Sequence, residues 1–390
     1  MKKTIGVLTG GGDCPGLNSV LYGILLKAMD AGSKVVGIEK GWKGFLENIT
    51  RELDISKLDD LHTIGGTILY TSRTNPYKNA KKIKDPAKKQ KMIEEMAKKM
   101  ASQFNIMGID ALIAIGGDDT LGVAAAMHQY AGAKVIGVPK TIDNDLSSTD
   151  YTFGFWSAIQ LASNTMDNIT TTARSHQRIF VVQVMGRDAG WLTLVSGIST
   201  GADIILIPER PFDFNKDIVN VLRERVKAGC KYHIIACSEG AVPTVESLQR
   251  DFQTISQVKI DKLPKDEFGN PLLSKLNLSK VIVEELNLRN DLKDIFQECN
   301  AEFEVRDVVL GHTMRAGTPS SFDRILGLRL GIHAAQLVLE ERYGLMVCLR
   351  GENIQTVPLA EGTQKKTIPL NSDLFELCNL ITKVKYESRR

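Results

Sequence analysis

Short apolar runs, each followed by a glycine-rich turn and then by apolar residues at helical spacing, recur along this chain of 390 residues. The first run is residues 3–9, which precede the turn Gly10-Gly-Gly-Asp-Cys-Pro-Gly16 and an amphipathic segment at residues 17–28. Residues 111–115 repeat the pattern, with glycines at their end and a helical segment at 121–130. Continuous apolar strands followed by amphipathic helices are typical of parallel sheets covered by helices. The pattern therefore predicts an α/β protein.

The same alternation continues on both sides of residue 150 and divides the predicted elements into two groups. Further strands are predicted at residues 35–39, 134–138, 179–184, 203–207, 233–236, 305–310 and 345–349. Further helices are predicted at residues 155–173, 215–228, 276–288, 322–343 and 373–384. Residues 251–271 are polar and lack a clear period. Because strands and helices alternate in each group, we predict two doubly wound, mostly parallel α/β domains with a cleft between them.

The composition is that of an ordinary globular protein, with 43% hydrophobic and 24% charged residues. The net charge of +3 is too small to indicate nucleic acid, and the nine lysines of residues 78–99 lie opposite an apolar helical stripe. The six cysteines form no C-x-x-C pair, so neither a zinc site nor a disulfide framework is expected. No apolar run approaches the ~20 residues of a membrane span, and no signal peptide precedes the first strand. We therefore expect a cytoplasmic protein without nucleic-acid or membrane partners.

Two stretches that follow predicted strands combine glycines with charged side chains. They are Ile115-Gly-Gly-Asp-Asp-Thr120 and Val138-Pro-Lys-Thr-Ile-Asp-Asn-Asp145. A glycine turn that opens a helix offers backbone N–H groups to a phosphate. Aspartates hold a divalent cation or accept a proton, and a lysine neutralises phosphate charge. Together these residue types indicate phosphoryl transfer.

The turn after the first strand is a weaker signal. It is not G-x-G-x-x-G, and it lacks a Walker lysine, so neither nucleotide fingerprint applies. By itself it is as consistent with a ligand-free connection as with a phosphate site. Two such turns favour a ligand site, because parallel sheets bind ligands at the carboxyl ends of adjacent strands.

With these turns in place, the sequence resembles the phosphofructokinase family over nearly its whole length. The matching motifs occur in family order: Gly11-Gly-Asp13, Gly65-Gly-Thr67 with Arg73, Gly116-Gly-Asp118, Thr141-Ile-Asp-Asn-Asp145, Ser175-His-Gln-Arg178, Met185-Gly-Arg187, Glu239 and Gly311-His-Thr-Met-Arg315. T-I-D-N-D after G-G-D is highly specific, whereas G-G-D-x-T is similar to a motif of NAD kinases and diacylglycerol kinases. The later motifs speak against an NAD-kinase-like enzyme.

The resemblance implies that one domain, residues 1–152 with about 315–366, binds the phosphoryl donor and Mg²⁺. Asp143 would be the base that takes the proton of the sugar 1-hydroxyl, while Asp118 and Asp145 would hold Mg²⁺. Thr141 and Arg187 would act beside the transferring phosphoryl group. The implied donor contacts are Gly12, Arg73, Asp119, Thr120 and Lys140.

The second domain, about 153–314 with 367–390, would bind fructose 6-phosphate. The contacts implied for the sugar phosphate are Thr141, Asp143, Arg178, Met185, Gly186, Arg187, Glu239, Arg306, His312 and Arg315. In the family, the residues that match Arg178 and Arg306 reach in from a neighbouring subunit. The resemblance therefore implies a homodimer or homotetramer in which these two arginines complete the neighbour's site.

Asp119 and Lys140 stand where the ATP-using members of the family carry glycine, and the pyrophosphate-dependent members resemble this sequence at both positions. Glycine leaves room for the α-phosphate and the nucleoside, whereas a side chain fills that space. A lysine can also pair with the terminal phosphate of a short donor. Lys140 is the more telling of the two residues. The alternative is that Lys140 turns to solvent and ATP is still admitted.

The resemblance thus implies a reversible, Mg²⁺-dependent transfer from pyrophosphate to fructose 6-phosphate. The products would be fructose 1,6-bisphosphate and orthophosphate, in glycolysis and gluconeogenesis. Two alternatives stay open: an ATP-dependent 6-phosphofructokinase of the same family, and a non-catalytic subunit of a heteromeric enzyme. The presence of Asp118, Asp143, Arg187 and Arg315 argues against the second. The acceptor range, which could include sedoheptulose 7-phosphate, is open as well.

Overall fold

The computed structural model describes residues 2–57, 59–255 and 276–387. The chain divides into two compact units: Met1–Ser157 with Arg315–Lys366 (unit 1), and Ala158–Met314 with Thr367–Arg390 (unit 2). Most of the polar stretch at 251–271 lies outside the described residues. No helix within the described ranges combines the length and the apolar character that a membrane crossing requires.

The strands, in chain order, are β1 (Thr4–Thr9), β2 (Lys34–Ile38), β3 (Thr50–Glu52), β4 (Ala111–Gly116), β5 (Val135–Pro139), β6 (Ile179–Val184), β7 (Ile204–Leu206), β8 (His233–Ser238), β9 (Val305–Val309), β10 (Leu345–Arg350) and β11 (Asn353–Pro358). The helices are α1 (Leu17–Asp30), α2 (Trp42–Glu47), α3 (Pro86–Met107), α4 (Asp118–Ala131), α5 (Phe155–His176), α6 (Trp191–Ser199), α7 (Asn220–Lys227), α8 (Val245–Asp251), α9 (Leu278–Asn287), α10 (Asn290–Glu298), α11 (Ser321–Leu339) and α12 (Asp373–Glu387). A wider helical turn over Phe214–Val219 leads into α7.

Unit 1 contains a seven-stranded sheet with the order β11-β10-β5-β4-β1-β2-β3. Its five inner strands are parallel, and the edge strands β3 and β11 pair antiparallel to their neighbours. Leu112 and Ala114 of β4 pack in one core cluster with side chains of α2, α3 and α4. Ile113 and Ile115 are equally buried, and they point to the opposite face because side chains alternate along a strand. Both faces of the sheet are therefore covered.

Unit 2 contains a four-stranded, fully parallel sheet with the order β7-β8-β6-β9. One core cluster joins strand residues such as Val181 and Ile235 to α7, α9 and α10. A smaller cluster on α6 and α12 contains Leu194, Phe375 and Cys378. The predicted fold class, doubly wound and mostly parallel α/β, is confirmed for both units. The missed elements include β3, which is exposed along its length and so shows no apolar run.

Each sheet has one position where the chain reverses the direction in which it adds strands. In unit 1 this position lies between β1 and β4, because β2 was added on the other side of β1. In unit 2 it lies between β6 and β9. The connections that leave such neighbouring strands diverge to opposite faces and open a crevice at their carboxyl ends, where ligands of parallel sheets bind. All four of these strands lead into a glycine-bearing segment.

Helices α1 and α11 approach so closely that backbone meets backbone. A Cβ atom added at Gly331 of α11 would overlap the carbonyl oxygen of Val20, and one at Gly327 would lie 2.8 Å from the Cβ atom of Ser19. Gly122 of α4 has no heavy atom within 4 Å of the corresponding point. Glycine is therefore required at position 331 of α11, whereas position 122 of α4 has room for a side chain.

We expect Gly331→Ala to lower the free energy of unfolding by about 1–3 kcal/mol, because the helices must separate to admit the methyl group. The matched variant Gly122→Ala should raise it by about 0.5–1 kcal/mol, because alanine favours the helix. Urea unfolding followed by circular dichroism measures both. Equal effects of the two substitutions would contradict the close helix contact.

Candidate active site

The glycine turn after β1 is fixed by the ends of its neighbours. Gly10 N–H donates to the carbonyl of Ile115 at 2.9 Å, which ties the turn to β4. Gly11 N–H donates to the carbonyl of Ser72 at 3.1 Å. Gly11 has a φ of 81°, a left-handed conformation that favours glycine. The predicted donor contact Arg73 directly follows this anchored segment, and it is exposed.

The turn after β4 presents two carboxylates at a helix start. The sequence places the helix from residue 121, but α4 begins at Asp118, so Asp118 and Asp119 occupy its first turn. Acidic side chains are favoured there by the partial positive charge of the helix N-terminus. Both are exposed, and Asp119 Oδ1 accepts a 3.1 Å hydrogen bond from Asn75 Nδ2.

Thr120 has a different environment from its two acidic neighbours. It is 4% exposed, and a Cβ atom on Gly10 would come within 2.5 Å of its hydroxyl oxygen. Gly116 is equally close to the Thr120 side chain. Thr120 therefore packs the two glycine turns together. Its assignment to the donor stays a prediction.

Lys140 lies between the two glycine turns that follow β1 and β4. Its backbone N–H donates to the carbonyl of Gly116 at 2.9 Å, and the residue is only 4% exposed. A Cβ atom on Gly11 would lie 3.3 Å from Lys140 Nζ, so the ammonium group sits beneath the first glycine turn. Burial lowers the pKa of Lys140, and the nearby Arg315 lowers it further. The alternative in which Lys140 turns to solvent is wrong for this structure.

The segment Thr141-Ile-Asp-Asn-Asp145 is held by its own polar side chains. Asn144 has a φ of 51° and is 2% exposed, and its Oδ1 accepts a 3.2 Å hydrogen bond from the Thr152 N–H. Asparagine is one of the few side chains that tolerate this left-handed conformation. Thr141 Oγ1 accepts from the Asp143 N–H at 3.1 Å. The asparagine thus sets the directions of the aspartates on either side of it.

The three aspartates Asp118, Asp143 and Asp145 interact electrostatically. Burial raises the pKa of Asp145 to about 6, and the like charges of Asp143 and Asp118 add to the effect. A bound divalent cation would relieve this repulsion. Among the described residues, no group of three or more His, Cys, Asp or Glu side chains forms a metal cage. Carboxylates are ligands that Mg²⁺ prefers, commonly one or two of them together with substrate phosphates.

Arg315 lies with the donor residues of unit 1. A Cβ atom on Gly12 would lie 2.5 Å from Arg315 Nη1, and this nitrogen donates to the Asp13 carbonyl at 3.3 Å. Arg315 Nε is buried and has no hydrogen-bond partner among the described residues. Lys140 and Arg315 therefore bring two positive charges to Gly11 and Gly12. The sequence motif placed Arg315 only among the sugar contacts.

In unit 2, the predicted residues Met185, Gly186, Arg187, Glu239 and His312 follow the carboxyl ends of β6, β8 and β9. Met185 N–H contacts Met314 Sδ at 3.4 Å, which links the segment after β6 to the segment after β9. Ser238 Oγ donates to the Gly186 carbonyl, and Glu239 N–H donates to the Val184 carbonyl at 2.9 Å. These residues therefore lie at the carboxyl ends of three neighbouring strands, two of which, β6 and β9, form the reversal point of the second sheet.

Arg178 and Arg306 lie at the opposite, amino-terminal ends of strands in that sheet. Arg178 precedes β6, and Arg306 is the second residue of the adjacent β9. The six residues of β6 separate Arg178 from Met185 by about 20 Å. Within one chain, these arginines therefore lie far from Met185 and His312, which follow the carboxyl ends of the strands.

Sequence reasoning missed several contacts that shape the site. Asn75, which holds Asp119, gave only the signal of a turn-forming residue shortly after Arg73. Gly240 allows the Arg187 backbone to approach, since a Cβ atom there would overlap the Arg187 carbonyl. Glu304, which bridges Arg178 and Arg306, gave no motif signal.

Comparison with known proteins gives matches over most of the chain. The family model described as "Phosphofructokinase" matches residues 4–338. A protein of Amycolatopsis methanolica named pyrophosphate–fructose 6-phosphate 1-phosphotransferase is 43% identical, with 94% of this chain and 96% of that protein covered. ATP-dependent 6-phosphofructokinase 2 of Streptomyces coelicolor is 40% identical, again with 94% and 96% covered.

A solved structure supports the fold independently. The pyrophosphate-dependent phosphofructokinase of Marinobacter aquaeolei superimposes with a TM-score of 0.69 at 20% identity, covering 98% of this chain and 91% of that one. At this identity the likeness concerns the fold alone. Among the sequence relatives, proteins named for either donor occur at about 40% identity.

The raised pKa of Asp145 generates a stability prediction. Its folded value of about 6 lies above the ordinary 3.8, so ionising this carboxyl costs folding free energy at neutral pH. Asp145→Asn should therefore raise the free energy of unfolding at pH 7 by an amount on the order of 1–3 kcal/mol. The gain should be complete above pH 6 and should disappear as the pH falls towards 4.

Urea unfolding without Mg²⁺ or substrates, at several pH values, measures this gain. Asp30→Asn is the matched control, because Asp30 is exposed and its ion pair with Lys27, at 3.1 Å, lies on the surface. We expect that control to change stability by less than about 0.5 kcal/mol. A loss of stability in Asp145→Asn at pH 7 would refute the unfavourable burial of this carboxylate.

Proposed function

The chain belongs to the phosphofructokinase family, and we propose that it is a Mg²⁺-dependent 6-phosphofructokinase that uses pyrophosphate. It transfers a phosphoryl group to the 1-hydroxyl of fructose 6-phosphate. The products are fructose 1,6-bisphosphate and orthophosphate. Because pyrophosphate is a modest phosphoryl donor, the step is reversible and serves both glycolysis and gluconeogenesis.

The observation that carries the choice of donor is the burial of Lys140 beneath Gly11. A buried side chain fills the volume that glycine would leave for the rest of a nucleotide. Its ammonium group, close to Arg315, matches a short and highly charged donor. Asp119 supports the proposal less strongly, because it is exposed at the start of α4.

Unit 1 supplies the groups for the donor and for proton removal. Asp143 takes the proton of the 1-hydroxyl, and Thr141 aligns Asp143 through the 3.1 Å contact with its backbone. Gly12, Arg73, Lys140 and Thr141 hold the phosphoryl group. Asp118 and Asp145 would hold Mg²⁺, which would supply charge neutralisation at the donor phosphates.

Unit 2 supplies the groups for the sugar phosphate. Met185, Gly186, Glu239 and His312 follow the carboxyl ends of its strands and bind the sugar. Arg315 is a further proposed sugar contact. Arg187 offsets the charge of the transferring group.

Arg178 and Arg306 act in a second copy of the chain. Their position at the amino-terminal ends of β6 and β9 supports this assignment, because it separates them from Met185 and His312 of the same chain. We therefore propose a homodimer or homotetramer. None of the six cysteines, all of which lie in the described ranges, forms a disulfide, which suits the reducing cytoplasm where we place the enzyme.

Asp143→Asn should lower kcat by about 10²- to 10⁴-fold, because the amide cannot accept the proton of the 1-hydroxyl. The KM for fructose 6-phosphate should change little. Steady-state kinetics of the purified chain measure both constants, with Asp30→Asn as the control for a distant loss of one carboxylate. Unchanged turnover of Asp143→Asn would exclude its role as the base.

The donor is tested with fructose 6-phosphate, Mg²⁺ and either pyrophosphate or ATP. We expect turnover with pyrophosphate and little with ATP. Lys140→Met should lower kcat/KM for pyrophosphate roughly 10- to 150-fold, the loss of one charged hydrogen bond of about 1.5–3 kcal/mol. Lys140→Gly should lose pyrophosphate use similarly and also gain activity with ATP.

The two variants separate charge from volume, because methionine fills the space without the ammonium group. Efficient ATP use by the unaltered chain would replace the pyrophosphate proposal with the ATP alternative. Inactivity with both donors would favour a non-catalytic subunit. Equal ATP activity of Lys140→Met and Lys140→Gly would contradict exclusion by volume.

A further inference from the structure

Three charged side chains meet where β6 and β9 begin. In the parallel register Ile179 pairs with Val305 and Phe180 pairs with Arg306, so Arg178 stands beside Glu304. Glu304 and Arg306 are two residues apart along one strand direction and therefore point to the same face. The fold thus brings one carboxylate between two guanidinium groups that are 128 positions apart in sequence.

Glu304 contacts both arginines with different oxygens. Its Oε2 accepts from Arg178 Nε, and its Oε1 accepts from Arg306 Nε at 2.8 Å and from Arg306 Nη2. These contacts use Nε of Arg178 and both Nε and Nη2 of Arg306, whereas a guanidinium group has five N–H donors in all. The donors that Glu304 does not contact, on the terminal nitrogens of Arg178 and on Nη1 of Arg306, are the ones that we assign to a second anion.

We propose that Glu304 is a positioning residue that holds Arg178 and Arg306 as a pair for the phosphate of a sugar phosphate bound by a second copy of the chain. This inference rests on the proposed function, in which the two arginines complete the neighbour's site. Glu304 itself touches neither substrate nor the transferring group. It acts through the geometry of the two guanidinium groups.

Charge balance explains why a carboxylate is needed here. Two guanidinium groups held close together repel each other, and one glutamate between them offsets that repulsion. The trio retains a net charge of +1, which still attracts a phosphate. The side chains of Arg178, Glu304 and Arg306 are 26%, 34% and 59% exposed, so solvent reaches all three. Without Glu304 the two long side chains would separate and lose the shared orientation.

The backbone around the trio is fixed. The Glu304 carbonyl accepts from the Ile179 N–H at 2.9 Å as part of the strand pairing. The Arg178 N–H donates to the Ala173 carbonyl at 3.0 Å, and the Arg178 carbonyl accepts from the His233 N–H at 3.1 Å. Groups on such anchored strand ends are better preorganised for binding than groups on loops.

The test compares Glu304→Gln with the unaltered chain in assays of fructose 6-phosphate, pyrophosphate and Mg²⁺. We expect the KM for fructose 6-phosphate to rise about five- to twenty-fold. The kcat and the KM for pyrophosphate should stay within about two-fold, because no group at the donor is altered. Glu304→Asp, which keeps the charge, should recover part of the loss. Glu302→Gln removes an exposed charge two positions away and should leave the KM unchanged.

A double-variant cycle separates positioning from a general structural effect. In an Arg178→Ala, Arg306→Ala background, Glu304→Gln should add little to the KM, because the groups that it positions are absent. A lower or unchanged KM in Glu304→Gln would overturn the proposal, since the carboxylate would then compete with phosphate or be irrelevant. Equal effects in both backgrounds, or a parallel loss of kcat, would overturn it too.

The unaltered chain reports separately on the proposed function. If only ATP supports turnover, the pyrophosphate proposal fails, and the same KM comparison with ATP still decides the role of Glu304. Calorimetry with fructose 6-phosphate alone gives a second readout, in which Glu304→Gln should weaken binding by the same factor. An unaltered chain that neither converts nor binds fructose 6-phosphate would refute both.

Discussion

The buried amine of Lys140 is the constraint on which the rest of the proposed donor site depends. Removing a charge from water is costly unless other charges and hydrogen bonds compensate for it. Here the nearby carboxylates Asp13 and Asp143 favour the charged form, while burial and Arg315 oppose it. An anion bound at the glycine turn would favour the charged form of Lys140. In the proposed function, the phosphates of the donor supply that negative charge.

The packing around the lysine explains why the turns are made of glycine. Thr120 fills the space between Gly10 and Gly116, so a Cβ atom at either glycine would collide with it. Arg315 takes the place of a side chain at Gly12 in the same way. At Gly10, Gly12 and Gly116, the space that a side chain would occupy is thus filled by a polar or charged side chain from another part of unit 1. The same packing brings the backbone N–H groups of the turns close to the side chains of Lys140 and Arg315.

The apolar runs predicted most of the fold, because inner strands of a parallel sheet are buried on both faces and cannot be confused with exposed segments. The edge strand β3 escaped this pattern, since its three residues are all exposed. The start of α4 was placed late because Asp118 and Asp119 are polar, although their charge suits the first turn of a helix.

The motifs placed the candidate residues along the chain, but they gave no information about which residues share an edge of a sheet. The proximity of Arg315 to Gly12 spans some 300 positions and depends on the return of the chain to unit 1. The separation of Arg178 from Met185 follows from the direction of β6, which the periodicity does reveal. The bridging role of Glu304 needs the register between β6 and β9, and register is set by packing across the whole sheet.

Overall similarity is a poor guide to the donor for a physical reason. Identity of about 40% averages over some 369 aligned positions, and proteins named for pyrophosphate and for ATP both reach it. The choice between the donors depends instead on a small volume beside the phosphates, where one side chain is enough to exclude a nucleoside. In the proposed function, the buried Lys140 would exclude the nucleoside by its volume and attract pyrophosphate by its charge. One fold can therefore serve either donor, and we propose that the buried position 140 sets the choice in this chain.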